Sequence, residues 1–341
     1  MDVRLSDEQR ALRDSADQVV DSLAPHTVRD LDDAGRAAKL DAAVEAAGWR
    51  ELRGAADGDA PLASAVETAL IAEELGRGLA DTAFLGPTLA AELRRLAAAP
   101  PGTAPETVAL LPDLSGPATP GSPAVAVDAR GAASALVLVP VPGGYLLAEA
   151  PVVGAGTGAD LTRPVAVVHP AEAVPLPGQQ RPVTAEDLVR WTALGLALTC
   201  ADLVGVMRGA VRLAADYALV RKQFGVAIAS FQAVQHRLAD AYVSLEGSRS
   251  IALHAAWAAD AAPADEALAA AAAAKAYCAR AGRAVCEAAV QVHGGIGNTW
   301  ECLAHVYLRR ALRSIDTFGG VGANLTRVLA HHGIGSGHGL R

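Results

Sequence analysis

The hydrophobic residues in the last third of the chain follow a helical spacing. Between positions 203 and 217 they recur every three or four residues, which places them on one face of a helix: Leu203, Val206, Met207, Ala210, Leu213, Ala214 and Tyr217. After a turn at Gly225, Ser230 can cap a second helix with an apolar face of its own: Val234, Leu238, Tyr242 and Leu245. Residues 265–290 and 301–312 predict two further helices, antiparallel to their neighbours.

The middle of the chain carries shorter apolar runs, at residues 124–127, 135–141, 145–147 and 165–168, which predict the strands of a small sheet or barrel. Fifteen of the 19 prolines fall between Pro100 and Pro182, and proline breaks helix interiors. Residues 40–49 and 63–79 are again helical in pattern, and Ser6 and Gln9 have the spacing of a capping box. The pattern therefore predicts a mostly helical α+β protein with domains at residues 1–100, 101–182 and 183–341.

Composition narrows the functional classes. The chain has 341 residues, 52% of them hydrophobic, and a formal net charge of -8. Nucleic-acid binding wants a basic surface, so the charge argues against it. The first residues show no apolar signal region and no stretch appears both long and apolar enough to cross a membrane, so we expect a cytoplasmic protein. The four cysteines lack metal-ligand spacing and read as buried thiols, so no metal site is predicted.

One segment carries most of the candidate chemistry. It reads Arg221-Lys222-Gln223-Phe224-Gly225, followed by Phe231-Gln232-Ala233-Val234-Gln235-His236. Arg221 falls near a helix end, where its guanidinium can bind a pyrophosphate, and Phe224 offers a flat face to an adenine or ribose. Gln232 can supply an amide to the same ligand. Arg221 could instead be a cation at a helix C-terminus, and the later Gly294-Gly295 pair a simple helix terminator.

These motifs resemble the signature of the acyl-CoA dehydrogenase family. The resemblance extends to Gln291-Val292-His293-Gly294-Gly295-Ile296-Gly297 and to Arg309-Arg310, and more loosely to Glu73-Glu74-Leu75-Gly76-Arg77. It implies an N-terminal helical domain, a middle β-barrel and a C-terminal four-helix bundle, assembled as an oligomer. It also implies FAD as the cofactor and an acyl-CoA thioester as the substrate. The ADP half of a neighbouring protomer's FAD would contact Arg221, Phe224, Gln232, Gln291, Gly294 and Gly295, while His293 reads as a structural histidine.

The catalytic base of the family is missing from its usual places. The reaction needs a carboxylate to remove the C2 proton while C3 passes a hydride to the flavin. Counted without gaps, the commonest position of that glutamate is Phe318 and the alternative position is near Gly195. Asp316 would need a change of register to serve, so the base stays unassigned. The other acidic residues nearby read as solvated, paired or structural: Asp202, Glu246 and Glu301.

The middle domain also departs from the family. Where members carry a Thr-Glu-Pro-x-Ala-Gly-Ser stretch against the flavin ring, this chain has residues 110–118, which keep only a proline and a glycine of that pattern. A Trp-Ile-Thr segment is lacking as well. The sequence therefore keeps the half of the site that reaches a partner's ADP group and has lost the half that holds the ring.

This asymmetry predicts a subunit that completes the FAD site of a longer homologous chain, as in the α2β2 acyl-CoA dehydrogenases of steroid side-chain degradation. An electron-transferring flavoprotein would be the redox partner that the family implies. Two alternatives stay open. One is a self-sufficient dehydrogenase, a homo-oligomer with a relocated base, that acts on acyl-CoA or on an acyl group tethered to a carrier protein. The other is a non-catalytic binding or scaffold protein.

Overall fold

The computed structural model describes residues 4–56, 59–156 and 158–334. Its helices lie at both ends of the chain: α1 (Asp7–Leu23), α2 (Ala34–Ala46), α3 (Ala65–Arg77), α4 (Leu85–Leu96), α5 (Ala185–Val220), α6 (Gln232–Ala261), α7 (Ala264–His293), α8 (Ala304–Asp316) and α9 (Val321–His331). Strands lie between α4 and α5. The mostly helical α+β fold with a small barrel is confirmed. The outer ends of the first and third predicted domains, residues 1–3 and 335–341, lie outside the described residues.

Side-chain caps fix where several helices begin. The hydroxyl of Ser6 accepts a hydrogen bond from the Gln9 amide at 3.1 Å, and the Gln9 side chain accepts one from the Ser6 amide. The predicted capping box is thus present at the start of α1. Ser64 and Thr184 cap α3 and α5 in the same reciprocal way. These caps satisfy N–H groups that a helix start otherwise leaves without partners.

The middle strands form a closed ring. They are β1 (Glu106–Leu110), β2 (Val125–Ala126), β3 (Ser134–Val141), β4 (Gly144–Ala155), β5 (Ala166–Val168) and β6 (Val174–Pro175). The order β3-β1-β2-β5-β4 returns to β3, and β6 pairs with β4 at Ala148 and Glu149, on the edge opposite β3. The barrel core consists mainly of small side chains, among them Ala109, Ala126, Ala135, Ala148 and Ala150. A short ring filled by alanine leaves its interior packed rather than hollow.

Helix α5 is the central element of the helical part and packs against α3, α6, α7 and α8. It is also long and apolar enough to cross a membrane by length and composition, so the expectation that no stretch reaches this threshold was wrong. In its most apolar window, however, 89% of the residues are buried against the rest of the protein. Its hydrophobicity thus reflects a position in the core, because a helix surrounded on all sides must be apolar all round.

Three details of the helical part differ from expectation. Ser230 does not cap α6, because the helix begins at Gln232 and Phe231, which makes no side-chain hydrogen bond, is the N-cap; the Ser230 hydroxyl instead donates to the Ala227 carbonyl at 2.7 Å. Tyr242 was placed on the buried face but is 55% exposed. A further helix, α9, follows α8, so the last arm of the bundle is broken at residues 317–320.

Candidate functional site

The segment after Arg221 folds as a two-residue hairpin. Strand β7 (Lys222–Gln223) pairs with β8 (Val226–Ala227), and the Ile228 amide donates to the Arg221 carbonyl at 2.8 Å to close the base. The two turn residues, Phe224 and Gly225, have φ angles of 53° and 82°. Two successive positive φ values are typical of a type I′ turn, which prefers asparagine or glycine at both positions.

Phe224 is therefore a bulky aromatic residue in a strained position. Its side chain is 93% exposed, and its ring makes an edge contact with Phe231 at 6.3 Å between centroids. An exposed phenylalanine with positive φ gains little from the fold, and strain of this kind concentrates at binding sites. The hairpin thus presents an aromatic ring to a ligand or to another chain.

Arg221 and Gln232 flank this hairpin and are both exposed. Arg221 is the C-cap of α5, and Gln232 is the first residue of α6, whose N-cap offers no side-chain hydrogen bond. A helix N-terminus carries a partial positive charge and free N–H donors. Together with a guanidinium, which binds phosphate oxygens in a bidentate manner, this arrangement suits a phosphate or pyrophosphate.

The end of α7 contributes the second predicted group. Gln291, Gly294 and Gly295 are exposed, and a Cβ added at either glycine would meet no atom within 4 Å. Gly294 has a φ of 65°, a conformation that favours glycine. The His293 ring stacks on the Tyr217 ring with centroids 4.4 Å apart, which holds the end of α7 beside the end of α5. The structure thus brings all six predicted FAD contacts to one end of the bundle.

The two positions of the missing base meet each other. Phe318 is fully buried, and a Cβ at Gly195 would lie 2.5 Å from two carbons of its ring. Trp191 contacts the same ring edge-on at 5.4 Å between centroids. The absence of a side chain at position 195 is what makes room for the phenyl ring at position 318. The two positions at which an ungapped count expects the base are therefore packed with hydrocarbon.

The cleft between barrel and bundle is closed at the same point. The Phe318 amide donates to the Leu114 carbonyl at 2.8 Å, and the Phe318 carbonyl accepts from Arg327 at 2.7 Å. Leu114 lies in residues 110–118, the counterpart of the stretch that lies against the flavin in the family, and it is buried. Both Leu114 and Phe318 have positive φ. These contacts join residues 110–118 directly to the break between α8 and α9.

Lys275 supports the break between α8 and α9. Its side chain is fully buried and its ammonium donates to the carbonyls of Ser314 and Thr317 and to the Thr199 hydroxyl, the last two at 2.7 and 3.2 Å. These carbonyls belong to the last turn of α8, which leaves such acceptors without helical partners. Burial lowers the pKa of Lys275 to about 8.

A pH titration can detect this buried cation. In the unfolded chain Lys275 binds its proton up to its ordinary pKa of 10.5, whereas the folded protein releases it near 8. Between these values the unfolded state holds more protons, so this group makes stability rise with pH. We expect the difference in unfolding free energy, wild type minus Lys275→Met, to increase from pH 8 to pH 10.5. A difference independent of pH would contradict the shift.

The remaining acidic residues are not positioned to act as the catalytic base. Asp316 is exposed at the end of α8, and Glu246 and Glu301 are exposed as well. Asp202 is buried and paired with Arg310 at 2.7 Å and Arg163 at 3.2 Å. Burial alone would raise the pKa of Asp202, but the two guanidinium groups outweigh it and the pKa is lowered. Asp202 thus anchors the barrel to the bundle.

Sequence reasoning missed this network and the cavity beside it. Asp128, Arg163, Asp202 and Arg310 line a cavity of about 20 Å³, room for one water molecule. One Asp128 oxygen, Oδ1, is buried there without a hydrogen-bond partner, and burial raises the pKa of Asp128. Asp202, an acidic residue among the apolar residues of α5, was the available signal. Its partner Arg163 comes from a loop that the helical patterns do not reach.

The chain is similar in sequence to known proteins of one family. Residues 193–333 match the model of the acyl-CoA dehydrogenase C-terminal domain. The acyl-CoA dehydrogenase IpdE2 of Mycobacterium tuberculosis is 34% identical over 257 residues, which cover 72% of this chain and 71% of that protein. The chain belongs to the acyl-CoA dehydrogenase family. The resemblance inferred from the motifs is thereby confirmed.

Solved structures of the family extend the likeness to the whole fold. The Tcur3481-Tcur3483 steroid ACAD, solved as a variant, matches with a TM-score of 0.79 and 25% identity over 96% of this chain and 98% of that one. The ChsE4-ChsE5 complex from Mycobacterium tuberculosis matches with a TM-score of 0.78 and 25% identity over 98% and 99%. Both names describe assemblies of two different chains. In both cases the likeness extends over nearly the whole of both chains.

Proposed function

We propose that this chain is a subunit of an FAD-dependent acyl-CoA dehydrogenase, and that it completes the FAD site of a longer homologous partner in an α2β2 assembly. The observation that carries the proposal is the contact between Phe318 and Gly195, which fills both positions of the catalytic base with hydrocarbon. The residues suited to FAD are, by contrast, all exposed at one end of the bundle.

FAD would supply the hydride acceptor of the α,β-dehydrogenation. In this proposal the partner provides the base, the acyl-CoA site and the surroundings of the flavin ring. Arg221 and the N-terminus of α6 bind the pyrophosphate, and Gln232 donates to the same group. Phe224 packs against the adenosine, and the backbone at Gly294 and Gly295 approaches it closely because neither glycine has a side chain there.

The surface around the hairpin supports a partner. Large apolar side chains are exposed on the end of α5, the hairpin and the adjoining part of α6: Leu219, Val220, Phe224, Val226, Tyr242 and Val243. Leu219, Val220, Phe224 and Val226 are close in sequence, and exposed apolar residues grouped in this way mark an interaction site in a soluble protein. A partner that binds here would cover the apolar residues and place its FAD against Arg221. We further propose a cytoplasmic complex that passes electrons to an electron-transferring flavoprotein.

The geometry ranks this role above the two alternatives. A self-sufficient enzyme with Asp316 as its base would need this carboxylate in the closed cleft, but Asp316 is exposed and Phe318 occupies the cleft. A scaffold without a ligand gives no reason for a strained, exposed phenylalanine at the hairpin tip. The paired subunit accounts for both features.

Mixing experiments test the proposal. The chain is purified alone and together with co-expressed longer acyl-CoA dehydrogenase homologues from the same source organism, and FAD retention is read from absorbance after gel filtration. We expect no FAD and no acyl-CoA oxidation with the chain alone, and both after assembly. A chain that alone retains FAD and desaturates acyl-CoA would overturn the proposal, and failure to bind FAD with every homologue would favour the scaffold role.

The hairpin tip gives a sharper prediction. Asparagine tolerates positive φ, so Phe224→Asn should leave the unfolding free energy unchanged or slightly higher. Loss of the ring should weaken FAD binding by the assembled complex about tenfold, because stacking of a base on an aromatic ring contributes about 1–3 kcal/mol. Flavin fluorescence titration measures the affinity. Phe224→Tyr keeps the ring and should behave as wild type, whereas wild-type affinity in Phe224→Asn would refute the contact.

A further inference from the structure

The two groups of predicted FAD contacts come from different helices. Arg221 follows the end of α5, whereas Gln291, Gly294 and Gly295 belong to the end of α7. A ligand that touches both groups binds well only if their separation is fixed beforehand, because any adjustment on binding reduces the affinity. Both groups are exposed, and each lies at the end of a helix, where the backbone is less constrained than in the helix interior.

One ring contact joins these two ends. Tyr217 lies one helical turn before Arg221, and its carbonyl accepts the Arg221 amide at 2.9 Å. His293 lies between Gln291 and Gly294. The two rings stack with centroids 4.4 Å apart and planes inclined by 24°. Each partner is thus adjacent, along its own helix, to a predicted contact with the nucleotide.

A hydrogen bond to its own helix also fixes the orientation of the His293 ring. Its Nδ1 lies 2.8 Å from the Ala289 carbonyl oxygen, and because a carbonyl can only accept, Nδ1 carries the hydrogen. The glycine turn folds against the same residue, since a Cβ at Gly297 would lie 3.0 Å from the His293 Cβ. The His293 ring is therefore held by its own helix on one side and by Tyr217 on another.

We infer that Tyr217 and His293 form a positioning pair that sets the distance between Arg221 and the Gly294-Gly295 turn, and so preorganises the nucleotide half-site. The inference rests on the proposed function, because it presupposes that both groups bind one FAD. It assigns His293 a role beyond that of a buried structural histidine. Neither ring needs to touch the cofactor, since each acts through the residue beside it.

The test measures FAD affinity in the assembled complex. His293→Ala and Tyr217→Leu each remove the stack and should raise the FAD dissociation constant about five- to tenfold, in line with the usual strength of an aromatic pair. Tyr217→Phe keeps the ring and should stay at the wild-type value. The double variant should be no weaker than either single variant, because both changes remove the same contact.

A matched control separates positioning from general stability. His254 and Trp257 form a ring contact near the C-terminal end of α6, with centroids 5.8 Å apart, roughly 33 Å along the helix axis from Gln232. His254→Ala should therefore change the melting temperature slightly and leave the FAD affinity unchanged. If His293→Ala and Tyr217→Leu both left the FAD affinity unchanged, or if their losses added in the double variant, the two rings would not act as a positioning pair. A wild-type complex that binds no FAD would instead contradict the proposed function.

Discussion

Replacing Arg221 with alanine should remove FAD from the assembled complex almost completely. A guanidinium that binds phosphate oxygens forms charge-assisted hydrogen bonds of about 1.5–3 kcal/mol each. Loss of the two hydrogen bonds of a bidentate contact should therefore weaken FAD binding by about 100-fold. Arg221 is exposed and its backbone, not its side chain, closes the hairpin, so the fold should be unaffected. Absorbance of the purified complex and equilibrium titration with FAD measure the loss.

The control is another surface arginine of the bundle. Arg283 pairs with Glu287 one turn along α7 and is largely exposed, so Arg283→Ala removes the same charge at a site of little energetic weight. We expect Arg283→Ala to retain FAD at the wild-type level. If Arg221→Ala also retained FAD, the assignment of the pyrophosphate site would be wrong.

The largest effect on stability should come from Phe318. Its ring is fully buried between Gly195 and Trp191, and Phe318→Ala would leave a cavity there. Loss of a buried phenylalanine ring lowers the unfolding free energy by about 3–5 kcal/mol. Urea denaturation of the chain measures the change. Phe224→Ala is the matched control, since it removes the same ring from an exposed site and should change stability by less than about 0.5 kcal/mol.

A substitution at Gly195 tests whether this residue and Phe318 are coupled. Gly195→Ala alone should destabilise by about 1–3 kcal/mol, because the new methyl group would overlap the Phe318 ring. In the Phe318→Ala background the same methyl group enters the vacated space, so the two losses should not add. Additive losses would mean that the ring does not depend on the missing side chain at position 195.

The sequence predicted the architecture where the pattern is long and regular. The apolar spacing between residues 203 and 217 lies within α5, and the Ser6–Gln9 spacing marks the start of α1. Short elements escaped because few residues carry their pattern. Strand β1 follows a proline-rich stretch, and within α9 only Asn324 is buried. Helix α6 begins one residue later than a cap at Ser230 requires, with Phe231 as the N-cap, and no spacing rule reveals this shift.

Prediction of the candidate site from the sequence has the same limit. The motifs predict the exposed candidate FAD contacts because these residues are close in sequence and carry their chemistry individually. An ungapped count placed Phe318 and Gly195 at the two base positions, but only the fold shows that they touch. The closure by Leu114, the buried Asp202 network and the Tyr217–His293 stack join residues from separate elements. Such contacts depend on tertiary packing, which no local pattern encodes.

The number of FAD molecules in the intact assembly distinguishes a subunit that completes a partner's site from one with a site of its own. Native mass spectrometry of the complex with a longer homologous subunit resolves both the chain composition and the number of bound flavins. We expect two FAD molecules in a complex of two copies of each chain, because only the partner's two sites are complete. Four FAD molecules in such a complex, or a flavin-loaded oligomer of this chain alone, would contradict it.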